Sequence, residues 1–291
     1  MTTATLVVSR SQFTTAPHHA HFSASTSTVT TGTLRDAQFE WWIQDLSDGS
    51  TVTSSFSGPE LGHTFDTPGS YRVTLKVKGS GDGAWSEDSE DFTVGTASYQ
   101  AECWVDMDAG SDGAGTLLDP FNTIASAISY IDTEWVAGTT NEHAIHLKAG
   151  TSETLASGYG TKTSAGRLVI DAYGAGVRPI IDLNDGNFSI MRIEDDRKIA
   201  VVGVEVDGGA AYPPSPGAEF FVMVNDEANT PVGFDSIFHD CYFHNSRSSC
   251  LYWAIDNATN AGTAAGCYDH IAITECEFAD NAADWLTFSS T

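Results

Sequence analysis

The sequence predicts an all-β protein, a β-sandwich followed by a β-solenoid, with one short helix between them. Three observations predict it. Residues 5–96 break into short alternating runs separated by clusters of Gly, Pro, Asp and Ser, the pattern of strands and tight turns. From residue 144 onward the β-runs recur with a period of about 30 to 35 residues, the range of stacked repeats. Between the two lies the stretch 103–131, a glycine-punctuated polar loop followed by a single amphipathic pattern. The expected domains are therefore a sandwich over 1–97 and a solenoid over 98–291.

The chain has 291 residues, enough for one large or two modest domains. Its 39 Asp and Glu outnumber 13 Lys and Arg, which gives a formal net charge of −26. That balance argues against nucleic acid or an anionic membrane as partner, because neither is held without a basic surface. No apolar run reaches 18 residues, so no membrane insertion is expected. The opening MTTATLVVSRSQFTTAP has neither a basic n-region nor an apolar h-region, so no signal peptide is expected. The five cysteines are odd in number and lack CxxC spacing. They imply reduced thiols in a chain made in the cytosol, not a disulfide or zinc framework.

Within the sandwich the runs lie at 6–8, 20–24, 38–43, 71–77 and 91–94. The clearest segment is HTFDTPGSYRVTLKV, residues 63–77. Pro68 and Gly69 make its turn. Tyr71, Val73, Leu75 and Val77 then face one way, and Arg72, Thr74 and Lys76 the other. Of Trp41 and Trp42, one is expected in the core. His18, His19 and His21 sit on a strand where His19 and His21 share a face, but with no recognisable third ligand they read as exposed histidines and not as a metal site. The segment 63–77 resembles the PKD family of immunoglobulin-like domains, whose late strands carry H-x-Y-x-x-x-G-x-Y-x-V-x-L-x-V. The W-x-F-G-D-G element of that family is only loosely echoed at residues 41–49. The resemblance spans roughly the first third of the chain. It implies a spacer or adhesion module, hence presentation and not chemistry.

At the junction, Asp119 is a good N-cap and Pro120 fits the first helical position, where its missing N–H costs nothing. Phe121, Ile124, Ile128, Ile131 and Trp135 follow at 3,4,3,4 spacing and form one apolar face, suited to a lid over the solenoid end. The solenoid runs begin at 144–148, 167–171 and 179–183, and continue as FSIMRI with KIAVVGVEVDG, EFFVMV with FDSIFHDCYFHN, and CLYWAI with HIAITECEFADN. Cys241-Tyr242-Phe243 and Cys276-Glu277-Phe278 are register marks 35 positions apart, and Val204-Glu205-Val206 takes the same place one coil earlier. Stacked coils would turn Val206, Phe243 and Phe278 inward as one ladder and Val204, Cys241 and Cys276 as another, which makes the cysteines core thiols.

The stretch WVDMDAGSDGAGTLLDPFNTIASAI resembles the leading segment of right-handed parallel β-helix proteins of the pectate-lyase-like type. The matching residues are Gly110, Ser111, Asp112, Gly115, Thr116, Pro120, Phe121, Thr123, Ile124 and Ala127. The resemblance implies a right-handed parallel β-helix with an N-terminal capping helix over residues 98–291. It implies little about activity, because that fold hosts lyases, hydrolases, epimerases, adhesins and viral spikes.

Two groups of acidic residues are candidate sites. Ile193, Val224 and Ile255 each precede an acidic turn, so coils stacked at about 4.8 Å would build a carboxylate column from Asp195, Asp196, Asp226, Glu227 and Asp256, with Arg197 and Lys198 beside it. These are the catalytic candidates, in the manner that calcium-assisted lyases and two-carboxylate hydrolases of this fold use such groups. Solvated turns in an acidic chain are the plainer reading. The G-H-G and R-I-K motifs of polygalacturonases are absent. The loop residues Asp106, Asp108 and Asp112 are the metal candidates, for Ca2+. The loop lacks the fifth-position carboxylate and the downstream Glu of a calcium loop, so no cofactor is expected and Asp112 reads as a turn-former. His239, Asp240 and His244 read as a polar cluster on an outward face.

A run at 285–288 begins just before the sequence stops, with no second lid, so further coils are expected beyond residue 291. The combination of surface-type modules without a signal peptide points to a bacteriophage virion structural protein, a tail spike or tail fibre. Such a protein is made in the host cytoplasm, sits on the virion surface, trimerises, and meets other virion proteins and a host-surface polysaccharide. The alternatives are a polysaccharide lyase or glycoside hydrolase, and a capsid-surface decoration protein or extracellular bacterial adhesin.

Overall fold

The computed structural model describes residues 1–10, 13–56, 58–136, 141–163, 166–184, 188–194, 197–209, 220–225, 235–246, 248–255, 270–280 and 286–290. They fall into two units, Met1–Ala97 and Ser98–Thr291.

Among its described residues the first unit has seven strands: β1 (Val7–Arg10), β2 (His18–Ser23), β3 (Gln38–Asp45), β4 (Thr51–Phe56), β5 (Glu60–Phe65), β6 (Gly69–Lys78) and β7 (Ser86–Val94). They pair antiparallel in two sheets, ordered β1-β2-β5 and β4-β3-β6-β7. The alternation in β6 is realised: Tyr71, Val73, Leu75 and Val77 are all buried, in one core with Phe22, Trp41, Ile43 and Phe92. Each such side chain contributes roughly 1.5–3 kcal/mol by leaving water. Trp41 is the inward tryptophan, and its indole N–H donates to the Gly58 carbonyl at 2.9 Å, so no polar atom is stranded. Trp42 lies on the other face, with Lys76 Nζ 4.4 Å from its ring. The Tyr71 hydroxyl donates to the Thr67 carbonyl at 2.7 Å and pins the turn that launches β6.

The histidines of β2 differ from expectation. His18 and His19 are buried, because β2 is the middle strand of its sheet; only His21 is exposed, 3.2 Å from Glu60. His18 Nδ1 lies 2.6 Å from the Phe13 carbonyl and His19 Nδ1 3.3 Å from Thr64 Oγ1.

The second unit opens with β8 (Ala101–Val105) and one helix, α1 (Ile124–Glu134). The helix starts later than Asp119 and Pro120 suggest. Thr123 is its N-cap and accepts the Ser126 N–H at 3.2 Å. The reason is competition for the backbone: the Phe121 N–H donates to the Trp104 carbonyl at 2.9 Å, and the Asp106 N–H donates to the Phe121 carbonyl at 2.8 Å. The segment around Phe121 is thereby held extended against β8, where it covers an otherwise open sheet edge. Ile124, Ala127, Ile128 and Ile131 of α1 are buried in the same core as Cys103 and Val105 of β8, so the helix is the lid its apolar face foretold. At its far end Trp135 stacks on His143 at 3.8 Å, and the Val136 N–H donates to His143 Nε2 at 3.3 Å.

Beyond the lid the chain visits three parallel sheets in the same order, coil after coil. The first coil is β9 (Glu142–Lys148), β10 (Ser152–Thr154) and β11 (Tyr159–Thr163); the second is β12 (Gly166–Tyr173), β13 (Ile180–Asp182) and β14 (Met191–Glu194). The third is β15 (Arg197–Val202), β16 (Glu205–Asp207) and β17 (Phe221–Asn225); the fourth is β18 (Asp235–His239), β19 (Tyr242–His244) and β20 (Leu251–Ile255). The fifth is β21 (His270–Thr274), β22 (Glu277–Ala279) and β23 (Leu286–Ser290). Sheet I is ordered β8-β9-β12-β15-β18-β21, sheet II β10-β13-β16-β19-β22 and sheet III β11-β14-β17-β20-β23. This is the topology of a parallel β-helix.

The inward ladders follow the sequence marks. Ile181, Val206, Phe243 and Phe278 are level in sheet II, so successive coils there take 25, 37 and 35 residues, a wider spread than the repeat of the sequence suggests. Val204 and Cys241 are fully buried, and the partly buried Cys276 packs against the same core. One left-handed residue turns sheet I into sheet II in three successive coils: Gly203 (φ 68°), Asp240 (φ 52°) and Glu275 (φ 56°). The Gly203 N–H donates to His239 O and the Asp240 N–H to Thr274 O, at 3.0 and 3.1 Å, so the corner bonds run up the stack as the sheet bonds do.

Candidate functional site

Two aspartates of the leading loop, Asp106 and Asp112, are engaged by hydrogen bonds through both carboxylate oxygens. Asp106 Oδ2 accepts from Lys148 Nζ at 2.5 Å, while its Oδ1 accepts the Asp108 N–H at 3.2 Å. Asp112 Oδ1 accepts the Asn122 N–H at 2.9 Å and its Oδ2 the Ser126 hydroxyl at 2.6 Å. Asp108 is exposed. The ion pair with Asp106 raises the pKa of Lys148 from its ordinary value, through the hydrogen bond first and the charge second. Among the described residues no group of three or more His, Cys, Asp or Glu has the geometry to hold a metal ion.

The acidic-turn candidates Asp195, Asp196, Asp226, Glu227 and Asp256 lie outside the described residues. The register around them is described, and it differs by one position per coil from the alignment of Ile193, Val224 and Ile255. Ile193 is level with Met223 and Trp253, whereas Val224 is level with Glu194 and Ala254. The apolar residues that end the runs are therefore not stacked on one another; coils of this fold keep register through buried ladders, not through the ends of runs.

Two polar clusters that the sequence reading did not assemble lie on the outward faces. On sheet I, His146 sits between Asp171, 2.5 Å from Nδ1, and Glu102, 3.0 Å from Nε2. Trp104 and Tyr99 lie against the imidazole at 5.0 and 5.8 Å between centroids. Burial pulls the pKa of His146 down, but the hydrogen bonds and charges of Asp171 and Glu102 outweigh it, and the net direction is up. Burial, reinforced by Asp171, raises the Tyr99 hydroxyl, so it stays a neutral donor. Two outward rows away Arg167 and Glu142 form an ion pair with almost no exposed surface, and burial lowers the Arg167 pKa while Glu142 and Asp235 oppose that. Such a pair is costly to break from one side.

On sheet II, Glu205, Tyr242 and Glu277 are level in three successive coils, and Asp182, Asp207 and His244 form the neighbouring row. His244 Nε2 lies 3.0 Å from Glu205 Oε1, its Nδ1 3.6 Å from Asp207 Oδ1, and Tyr242 stacks on its ring at 4.4 Å. Asn245 Nδ2 donates to Asp207 at 2.9 Å. The spacing of Val204-Glu205-Val206 and Cys241-Tyr242-Phe243 already contained this row, since the residue between two inward neighbours must face out. The expected grouping of His239, Asp240 and His244 is not realised as one cluster. His239 belongs to sheet I, 2.9 Å from Thr274 Oγ1; Asp240 turns the corner, paired with Arg178 at 2.5 Å; and His244 belongs to sheet II.

Comparison with known families decides the first unit. Residues 3–88 match the PKD domain family. Neither the curated proteins nor the solved structures yield a match to the chain. The PKD match takes in all but the last part of the sandwich unit. Within this PKD sandwich Trp41 and Tyr71 are the core anchors described above, and the loosely echoed element at residues 41–49 spans the turn from β3 toward β4. His18, His19 and Trp41 of this unit are all buried. Among the described residues no helix is long and apolar enough to cross a membrane.

Proposed function

We propose that this chain is part of a bacteriophage tail spike or tail fibre that recognises a host-surface polysaccharide. The observation that carries the reading is the union, in one chain, of a PKD-family surface module and a parallel-sheet solenoid whose polar residues are ranked on its outward faces. Long polar ladders such as Glu205-Tyr242-Glu277 beside Asp207-His244 suit repeating hydroxylated ligands, because each coil offers similar donors and acceptors one strand spacing further on. The reading places the protein on the virion surface as a homotrimer among other virion proteins, with no nucleic-acid or membrane partner and no cofactor. Its test is particle association: antibody labelling of purified virions and sedimentation of the isolated chain. Label on the tail together with a trimer supports it; a monomer absent from virions sinks it.

A second reading, polysaccharide lyase or glycoside hydrolase, is favoured by one observation, the imidazole of His244 between Glu205 and Asp207. Under it Asp195, Asp196, Asp226, Glu227 and Asp256 stand as further catalytic carboxylates. Release of unsaturated or reducing ends that is lost in Glu205→Gln or Asp226→Ala would establish it.

A further inference from the structure

We infer that the PKD unit itself carries a saccharide-binding subsite, at a cavity walled by Trp85, Asp82 and Thr30, that takes one ring of a neutral sugar. The inference rests on the glycan-recognition reading above and moves part of that recognition onto the sandwich. The cavity, about 260 Å³, is lined by Met1, Thr2, Thr30 and the segment from Asp82 to Ser86. It falls just short of the ~300–1,000 Å³ of sites for drug-sized ligands, so it suits a single ring of a longer chain. Trp85 is the most exposed tryptophan among the described residues, at 38%. The other two tryptophans of this unit are less exposed, Trp41 buried and Trp42 half-buried, so more of Trp85 reaches the surface than of either. A flat aromatic face kept in water beside a cavity matches the apolar C–H face of a pyranose.

The polar wall is built in advance. Asp82 Oδ2 accepts the Gly79 N–H at 3.2 Å and the Thr2 hydroxyl, and the Asp82 N–H donates back to the Gly79 carbonyl at 3.0 Å. These bonds fix the carboxylate and leave its Oδ1 uncommitted among the described residues, an acceptor for a sugar hydroxyl. The Thr2 Oγ1 in turn accepts the Thr30 N–H at 3.1 Å, which sets the Thr30 hydroxyl 3.5 Å from it on the cavity wall. One fixed acceptor, adjacent hydroxyls and one aromatic plate are complementary to a polyol with one apolar face.

Charge decides between ligand classes. Asp82 stands in the wall of a chain of net charge −26, which disfavours uronates and sialic acids even with the Lys78 ammonium and the Met1 amino group nearby. Lys78 already places its ammonium 5.9 Å from the Trp85 ring centroid, so a quaternary ammonium would meet a like charge instead of an aromatic cage. A neutral hexose or N-acetylhexosamine meets neither obstacle.

The test titrates the full chain with cello-, chito-, malto- and laminarihexaose, with oligogalacturonate and choline as controls, by calorimetry. At least one neutral hexaose is expected to bind, and Trp85→Ala and Asp82→Asn should each weaken it tenfold or more while Trp85→Phe keeps part of the affinity. Circular dichroism melts of the variants show that the sandwich is intact. Neutral hexaoses that bind equally well to Trp85→Ala would overturn the inference and leave glycan recognition to another surface. Binding of oligogalacturonate or choline alone would overturn it on ligand class. No binding by any neutral hexaose would overturn this inference, whereas the glycan-recognition reading falls only if the full chain binds no host-surface polysaccharide.

Discussion

Ser126 donates its hydroxyl to Asp112 across 2.6 Å, and so ties the glycine-rich loop to the first turn of the lid helix. The other carboxylate oxygen of Asp112 holds the Asn122 N–H. The loop is thus a clasp. Asp112→Ala should cost about 1 kcal/mol, since it removes one helix-start bond and one loop bond at an exposed position. A denaturation midpoint unchanged from the parent chain would contradict the clasp. Because both oxygens of Asp112 and both of Asp106 are engaged, millimolar calcium should leave the melting temperature where it is; a calcium-dependent rise that disappears in Asp112→Ala would show a metal loop instead.

Glu153 gives the lid a pH dependence. It occupies the inward position of β10, level with Ile181, and its Oε2 accepts the Ile124 N–H of the helix start at 2.6 Å. Burial raises its pKa above the ordinary glutamate value, and the Ile124 N–H only partly offsets this. A raised folded-state pKa means that the native state binds the proton more tightly than the unfolded chain does. Its stabilising contribution is complete below the unfolded value and is lost as pH rises through the folded value. Glu153→Gln keeps the acceptor for Ile124 without the charge. Its melting temperature should exceed that of the parent at pH 7 and converge with it near pH 4. A variant that is less stable than the parent at pH 7 would mean that the carboxylate charge is needed at the helix N-terminus.

The thiols should react in a definite order. Cys241 is fully buried, and burial first, then Cys276, raise its pKa well above the ordinary value. Burial lifts Cys103 and Cys250 to about 12. Cys276 is partly exposed, and its pKa is lowered, chiefly by the hydrogen bond from Cys241. Since the thiolate is the reactive form, Cys276 should be alkylated before Cys103, Cys241 and Cys250 in the folded chain. Peptide mapping after brief iodoacetamide treatment reads this directly, and equal labelling of Cys103 or Cys250 would contradict it.

What the sequence disclosed, and what it hid, divides along physical lines. Tyr71, Val73, Leu75 and Val77 announced themselves because a strand with one wet face must alternate. Val206, Phe243 and Phe278 did so because stacked coils repeat their inward residue. The strand β10, three residues reading SET, was invisible, since Glu153 stands where an apolar residue would normally mark the ladder. β4, reading TVTSSF, has too few apolar residues to show a period. The helix start at Thr123 was hidden because Asp119 and Pro120 have the local chemistry of a helix start while the backbone of Phe121 is claimed by β8, a tertiary effect that no local pattern encodes. The His146 cluster draws on β8 and the first two coils at unequal separations, so its members, Glu102, His146 and Asp171, share no visible spacing.

The neighbouring residues Tyr242 and Phe243 separate architecture from recognition. Phe243 faces inward with no exposed surface, 5.3 Å from Phe278, 6.0 Å from Phe238 and 6.1 Å from Phe220. Removal of its ring leaves a cavity between coils, and Phe243→Ala should cost about 3–5 kcal/mol. In a solenoid that loss is shared by the coils on either side, because each repeat is held mainly by its neighbours, so cooperativity of unfolding should fall along with stability. Tyr242 faces out and stacks on His244, so Tyr242→Ala should change stability by less than about 1 kcal/mol. Paired melts of the two variants make the comparison internal to one strand. Similar losses in both would mean that the outward row of sheet II is structural and does not present a ligand surface; a silent Tyr242→Ala with weakened saccharide binding would assign that row to recognition.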